Sequence, residues 1–248
     1  MIKKNNIIAI FALIFVAAII ADIIGDSNEN ESYGPVYAQS YYDDMPDTSQ
    51  VYKDTKFAIR AILGHDKFPE KGYGAYGYLV FVRKPDSLLM ERYLLICESF
   101  KRLFFIEEDF SEYDLDKKML FPTYWLLDSI PPNSEDVENC KWLVNNYNYP
   151  RAFSMASKIK KTSLEGPILI ACSQRFEDVD STSQALILDM SKFENGDIDR
   201  AFEIWKERIT KDPTNWNNGF NLSMIREHFR IIVNRYGEDI LSILKEWV

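Results

Sequence analysis

Any chemistry in this chain must come from a short set of residues. Gly72, Gly74 and Gly77, in Gly-Tyr-Gly-Ala-Tyr-Gly, match the G-x-G-x-x-G pattern of phosphate-binding loops. In a dinucleotide site those glycines follow a strand and open a helix, so that backbone N–H groups face the pyrophosphate. Here they precede a strand-like run, Tyr78 to Val82, so the expectation is an ordinary Gly/Tyr turn and no cofactor. Six carboxylates, Glu107, Glu108, Asp109, Glu112, Asp114 and Asp116, stand together with no base among them. Hard cations favour such oxygens. However, a calcium loop begun at Glu112 puts Lys117 where Gly is needed and Thr123 where a bidentate Glu belongs, so the stretch reads as a solvated acidic loop.

Cys172 closes an apolar run, and His228 is one of two histidines, so a thiol nucleophile with its base requires a fold that joins them. His228 lies in a helical stretch between Glu227 and Phe229, which favours a structural or surface role. His65 sits in a turn-rich polar stretch without a neighbouring Cys or His, and no metal site is expected. Ser173 is outside any G-x-S-x-G elbow, and neither H-E-x-x-H nor G-x-x-x-x-G-K-[ST] occurs. No residue can be named as catalytic on this basis. Trp216, Tyr147 and Tyr149, in Asn-rich stretches, are read as exposed aromatics that either form a contact surface or pack at the core edge.

The elements that must position these residues are set by hydrophobic period and turn chemistry. Phe57 to Leu63 is a short apolar segment, and His65 to Gly77 is rich in turns. After the strand 78–82, Pro85, Asp86 and Ser87 start a helix with Leu89, Tyr93, Ile96 and Phe100 on one face and Cys97 at its border. Met119 to Leu127 reads as a strand whose Pro122 suggests an edge or a bulge. A helix is expected over 134–146, carrying Val137, Cys140 and Val144 inward, and another over 151–161. Buried strands come next at 168–172, behind Gly166 and Pro167, and at 185–190. After them comes a helix with Ile198, Ala201, Phe202, Trp205 and Ile209 on one side, then one capped by Ser223 and closed by Gly237. The chain closes on Ile240, Ile243, Leu244 and Trp247, another amphipathic turn set.

The fold class is therefore α/β: one mixed-sheet domain over 51–248, in strand-helix-strand-helix-strand-strand-helix order, with C-terminal helices. Over residues 78–211 that order resembles the thioredoxin-like fold, and Pro167 resembles that fold's proline position. The resemblance implies a Cys-x-x-Cys pair at the start of the first helix, where this chain has Lys84, Pro85, Asp86 and Ser87, so dithiol redox chemistry is not expected. Cys97, Cys140 and Cys172 are far apart and odd in number. They read as buried thiols; one pair could bond in an oxidising compartment, but spacing does not choose it.

The first 25 residues have another purpose. Lys3 and Lys4 precede an uninterrupted apolar run from Ile7 to Ala21, which predicts a hydrophobic helix acting as a signal anchor or a signal peptide. Bulky Ile19, two residues before Ala21, makes a poor cleavage site, and retention as an anchor is favoured. The positive-inside tendency keeps Lys3 and Lys4 in the cytoplasm and sends the residues after Gly25 to the extracytoplasmic, periplasmic side. Residues 26–50 hold six acidic residues, no Lys or Arg, and Tyr33, Tyr37, Tyr41 and Tyr42, which predicts a flexible acidic tether.

Beyond residue 25, 27 Lys and Arg face 37 Asp and Glu, counted by removing Lys3, Lys4 and Asp22 from the chain totals. Phosphate backbones repel such a surface, so nucleic acid is not an expected partner. The partners expected are the membrane, through residues 7–25, and another envelope protein. The reading is a membrane-anchored, extracytoplasmic, non-catalytic interaction module. Its rivals are an envelope hydrolase using Cys172 or the loop carboxylates, and a redox-inactive thioredoxin-like scaffold.

Overall fold

The computed structural model describes residues 56–107, 115–129, 131–160, 166–180 and 182–245. The expected membrane segment and tether lie outside them, as does most of the acidic loop. Among the described residues no helix is long and apolar enough to cross a membrane. They form a single mixed α/β sheet domain with six strands and surrounding helices.

Strand β1 (Phe57–Leu63) is followed by β2 (Tyr76–Phe81), helix α1 (Ser87–Leu103), β3 (Leu120–Leu126) and two short helices, α2 (Ser134–Glu138) and α3 (Cys140–Asn145). Helix α4 (Tyr149–Lys158), strands β4 (Pro167–Cys172) and β5 (Ala185–Asp189), and helix α5 (Asn195–Ile204) complete the central unit. Helices α6 (Thr214–Asn217), α7 (Leu222–His228) and α8 (Arg230–Tyr236) lead to strand β6 (Leu241–Leu244). The sheet order is β1-β3-β2-β4-β5-β6. β1, β3 and β2 run parallel, while β4, β5 and β6 each run antiparallel to the strand before them in the sheet.

Both faces of this sheet are covered. Every residue of β2, β3 and β4 is buried, as continuous apolar strands between helical layers require. α1 forms because Asp86, in an extended conformation, accepts hydrogen bonds from Leu88 N and Leu89 N, and because Tyr93, Ile96, Cys97 and Phe100 recur at helical spacing and are buried. It packs against α3 and α5, with Phe100 and Phe104 reaching Phe202, while α4 packs on β2 and β3. Phe81 is the hub of an aromatic cluster with Tyr93, Trp125 and Tyr147 at ring-centroid distances of 4.4, 5.1 and 5.0 Å. Where β3 stops pairing with β2, the Tyr147 hydroxyl takes over, accepting from Phe81 N at 3.1 Å and donating to Leu79 O at 2.8 Å.

Several expectations need correction. Phe57 to Leu63 is a full sheet member, paired with β3 along its whole length. Pro122 lies in an interior strand, not an edge strand. It pairs across to Ile59 of β1, and the β2 ladder begins one residue later at Thr123, so no bond to β2 is lost through the missing N–H. The helix expected over 134–146 is broken at Asn139, whose backbone leaves the helical region (φ −97°, ψ 102°) and whose side chain caps the second piece at Trp142 N. α7 is capped by Asn221, which accepts from Met224 N, and not by Ser223. Gly237 does end α8, at φ 93°. Of the last apolar set, Ile240 closes a 3-10 turn, Glu238–Ile240, whereas Leu241 to Leu244 pairs with β5 as the sixth strand; Trp247 lies outside the described residues.

Candidate functional site

The residues singled out for chemistry are not brought together. Cys172 is fully buried at the end of β4, paired across to Tyr76 and Ala185. Burial pushes its thiol well above the ordinary range, which removes the thiolate a nucleophile needs. His228 sits at the C-terminal end of α7, and no described hydrogen bond or ion pair joins it to Cys172.

Of the acidic stretch, two residues are described in place. Glu107 accepts a hydrogen bond from the Tyr73 hydroxyl at 2.8 Å, and Asp116 caps the 3-10 turn at Lys117–Met119 through Lys118 N. Among the described residues no group of His, Cys, Asp and Glu is arranged to hold a metal. The glycine motif is packing-driven. A Cβ on Gly74 would lie 1.9 Å from Lys118 O, and one on Gly77 would lie 2.6 Å from Thr123 Oγ1, so both glycines are set by close approach to β3 and its lead-in. Tyr147 and Trp216 are buried rather than exposed, and Tyr149 is half-buried.

The structure instead gathers polar groups around the loop 64–75, which connects β1 to β2. Its backbone carbonyls turn inward onto two arginines. Arg151, in the first turn of α4, donates from Nη1 to Lys67 O at 2.9 Å and to Gly64 O at 3.3 Å, with His65 O at 3.5 Å. Its Nη2 pairs with Glu177 Oε1 at 2.7 Å. Arg175 donates from Nη1 to Pro69 O at 3.2 Å and is gripped by Asp178 through Nε at 2.6 Å and Nη2 at 2.8 Å. The Tyr76 hydroxyl donates to Glu70 O at 3.1 Å, and Lys67 N closes a turn onto Gly64 O.

The planar guanidinium suits this task because its five donors can serve a carboxylate on one side and several carbonyls on the other. Asn148 adds a further hold. Its Oδ1 accepts from Arg151 N as the cap of α4, which turns its Nδ2 toward His65 Nδ1 at 3.0 Å, while His65 Nε2 faces Asp66 Oδ1 at 3.4 Å. Asp128, just beyond the C-terminal end of β3, stands 3.2 Å from His65 Nδ1. With the backbone pinned inward, the side chains of Asp66, Lys67 and Phe68 project outward, and Phe68 is 65% exposed.

The cysteines differ from the expectation of three buried thiols. Cys97 of α1 and Cys140 of α3 form a disulfide, and Cys172 alone is free. The sequence offered no means of choosing that pair, because it depends on α1 and α3 packing side by side. In comparisons of the chain with protein families, with curated proteins and with solved structures, nothing matches.

Proposed function

We propose that the chain is a membrane-anchored, extracytoplasmic α/β module that works by binding another envelope protein and presents loop 64–75 as its contact surface. The observation that carries the binding reading is the inward pinning of that loop by Arg151 and Arg175, which leaves Phe68 outside. An aromatic held on a fixed backbone loses little entropy on association, the property that makes aromatic anchors effective at interfaces.

Placement outside the cytoplasm is supported by the apolar run 7–21 and by the Cys97–Cys140 disulfide, since structural disulfides persist in oxidising compartments. The reach of the module would come from residues 26–50.

The redox-inactive thioredoxin-like scaffold is compatible with this reading. In its favour, β2, α1, β3, α4, β4, β5 and α5 come in the expected order, and Pro167 opens β4 opposite Phe81. Against it, no described peptide bond is cis, so Pro167 lacks the cis bond that would favour this scaffold. At Lys84 to Ser87 there is no thiol, so the scaffold would have no dithiol chemistry. A hydrolase using Cys172 has the buried thiol against it.

The test is photo-crosslinking of the full chain in its own membrane. A benzophenone amino acid is placed at position 68 and, for comparison, at the exposed position 231. A discrete adduct from position 68 that is absent from position 231 is the expected result. Identical patterns from the two positions, or no adduct from 68, would overturn the assignment of the surface.

A further inference from the structure

The chain leaves its last strand beside an open groove of about 870 Å³. Phe220, Leu222 and Met224 line it from the α6–α7 side, and Ile243 and Lys245 from the β6 side. The four apolar residues among them are half-buried, so each turns part of its apolar surface to solvent.

Two observations point to what covers that surface. Side chains of an extended chain alternate between two faces, so Ile243 and Lys245, two apart and both lining the groove, put position 247 on the same side. Position 247 is a tryptophan, and it is reached from Lys245 by roughly 7 Å of extended chain. The groove also lies along the line of the strand. β6 pairs with β5 as far as Leu244 opposite Ala185, and the next residue on the β5 side in that register is Gln184. Gly219 of the groove wall, at φ 80°, approaches Gln184 so closely that a Cβ on it would stand 2.9 Å from Oε1.

We infer that this groove is the seat of the chain's own following segment, residues 246–248, with the Trp247 indole laid across Phe220, Leu222, Met224 and Ile243. Tryptophan suits the role because its rings cover apolar surface while its N–H needs an acceptor, and Asn218, exposed in the same groove, carries an amide oxygen. Glu246, on the opposite phase of the alternation, stays in water. The segment is already joined to the groove through Lys245. Seating it therefore costs the ordering of a few residues, without the loss of free translation that a separate peptide gives up. While it is seated, the groove is closed to an extended peptide from a partner or from a second copy.

The test uses the full chain in mild detergent, labelled with 5-fluorotryptophan and read by fluorine NMR. The chain has five tryptophans, and the resonance lost in Trp247→Phe is that of position 247. It should lie away from the shift of the free amino acid and be broadened by a soluble gadolinium chelate about fivefold less. Met224→Lys sets a charge in the groove wall and should return the Trp247 resonance to the free shift with full broadening. Trp125, Trp142 and Trp205 should keep their shifts, which checks the fold. The exposed substitution Asn218→Phe, which fills the groove without entering the core, should give the same release. A Trp247 resonance at the free shift with full broadening in the unsubstituted chain would overturn the proposal without any variant. Protection that both groove substitutions leave intact would seat the indole elsewhere and overturn it too. Protection lost on about tenfold dilution would assign the groove to the tail of a second copy, against the proposal.

Discussion

Replacing Arg151 by alanine removes the main fastening of loop 64–75, and the size of the effect can be worked from its contacts. Two of its bonds are short, 2.9 Å to Lys67 O and 2.7 Å to Glu177 Oε1. The contacts to Gly64 O and His65 O are longer and contribute little. A hydrogen bond to a charged group contributes about 1.5–3 kcal/mol. The Arg151 side chain is 17% exposed and that of Glu177 25%, which places both bonds at the lower end. Arg151→Ala should therefore cost about 3 kcal/mol, partly because Glu177 is left half-buried without its partner.

Arg151→Lys separates geometry from charge. An ammonium cannot serve the carboxylate and the carbonyl at once from the fork's positions, so about half of the loss should remain. Urea unfolding of the full chain in mild detergent reads the global part of the loss. Limited proteolysis between residues 64 and 75 reads local detachment of the loop. An Arg151→Ala protein within about 0.5 kcal/mol of the parent, with unchanged proteolysis in the loop, would refute the fastening and remove the physical basis for Phe68 as a fixed anchor.

Asp180 accepts from Thr182 N, Thr182 Oγ1, Ser183 N and Ser183 Oγ, and these bonds, those from Thr182 foremost, lower its pKa from the ordinary 3.8 to about 2. Because the folded value lies below the unfolded one, the stabilisation is complete above about pH 5 and fades toward pH 2. The gap in urea midpoint between the parent and Asp180→Ala should close over that range, and a gap that persists at about pH 2 contradicts the assignment. Replacing both Cys97 and Cys140 by serine opens a loop with a sequence separation of 43, for which chain entropy gives a loss of about 4 kcal/mol. Unfolding without reductant measures it, and parity with the oxidised parent would argue against the bond. Gly74→Ala, which drives a Cβ to 1.9 Å from Lys118 O, should cost more than about 2 kcal/mol. Gly196→Ala, inside α5 with nothing within 4 Å, should gain up to about 1 kcal/mol. Thermal unfolding of the pair checks both signs, and equal shifts would discredit the packing argument.

The local elements were legible in the amino-acid order because they are set by short-range periods and caps. The stripe Tyr93, Ile96 and Phe100 specified α1, Asp86 specified its start, and Gly237 the end of α8. The apolar runs at 168–172 and 185–190 specified β4 and β5 to within a residue. Features that depend on distant partners were not legible. Pro122 in an interior strand is tolerated only because β2 joins β3 one residue later. Leu241 to Leu244 becomes a strand because β5 offers it an open edge, although its spacing also suits a helix. The pairing of Cys97 with Cys140 requires the contact between α1 and α3, and the fastening of loop 64–75 requires Arg151 and Arg175, 87 and 106 residues from their farthest carbonyl partners. Local propensity acts over a few residues of chain, whereas disulfides, guanidinium clamps and sheet neighbours are matters of proximity in space, which only the folded domain decides.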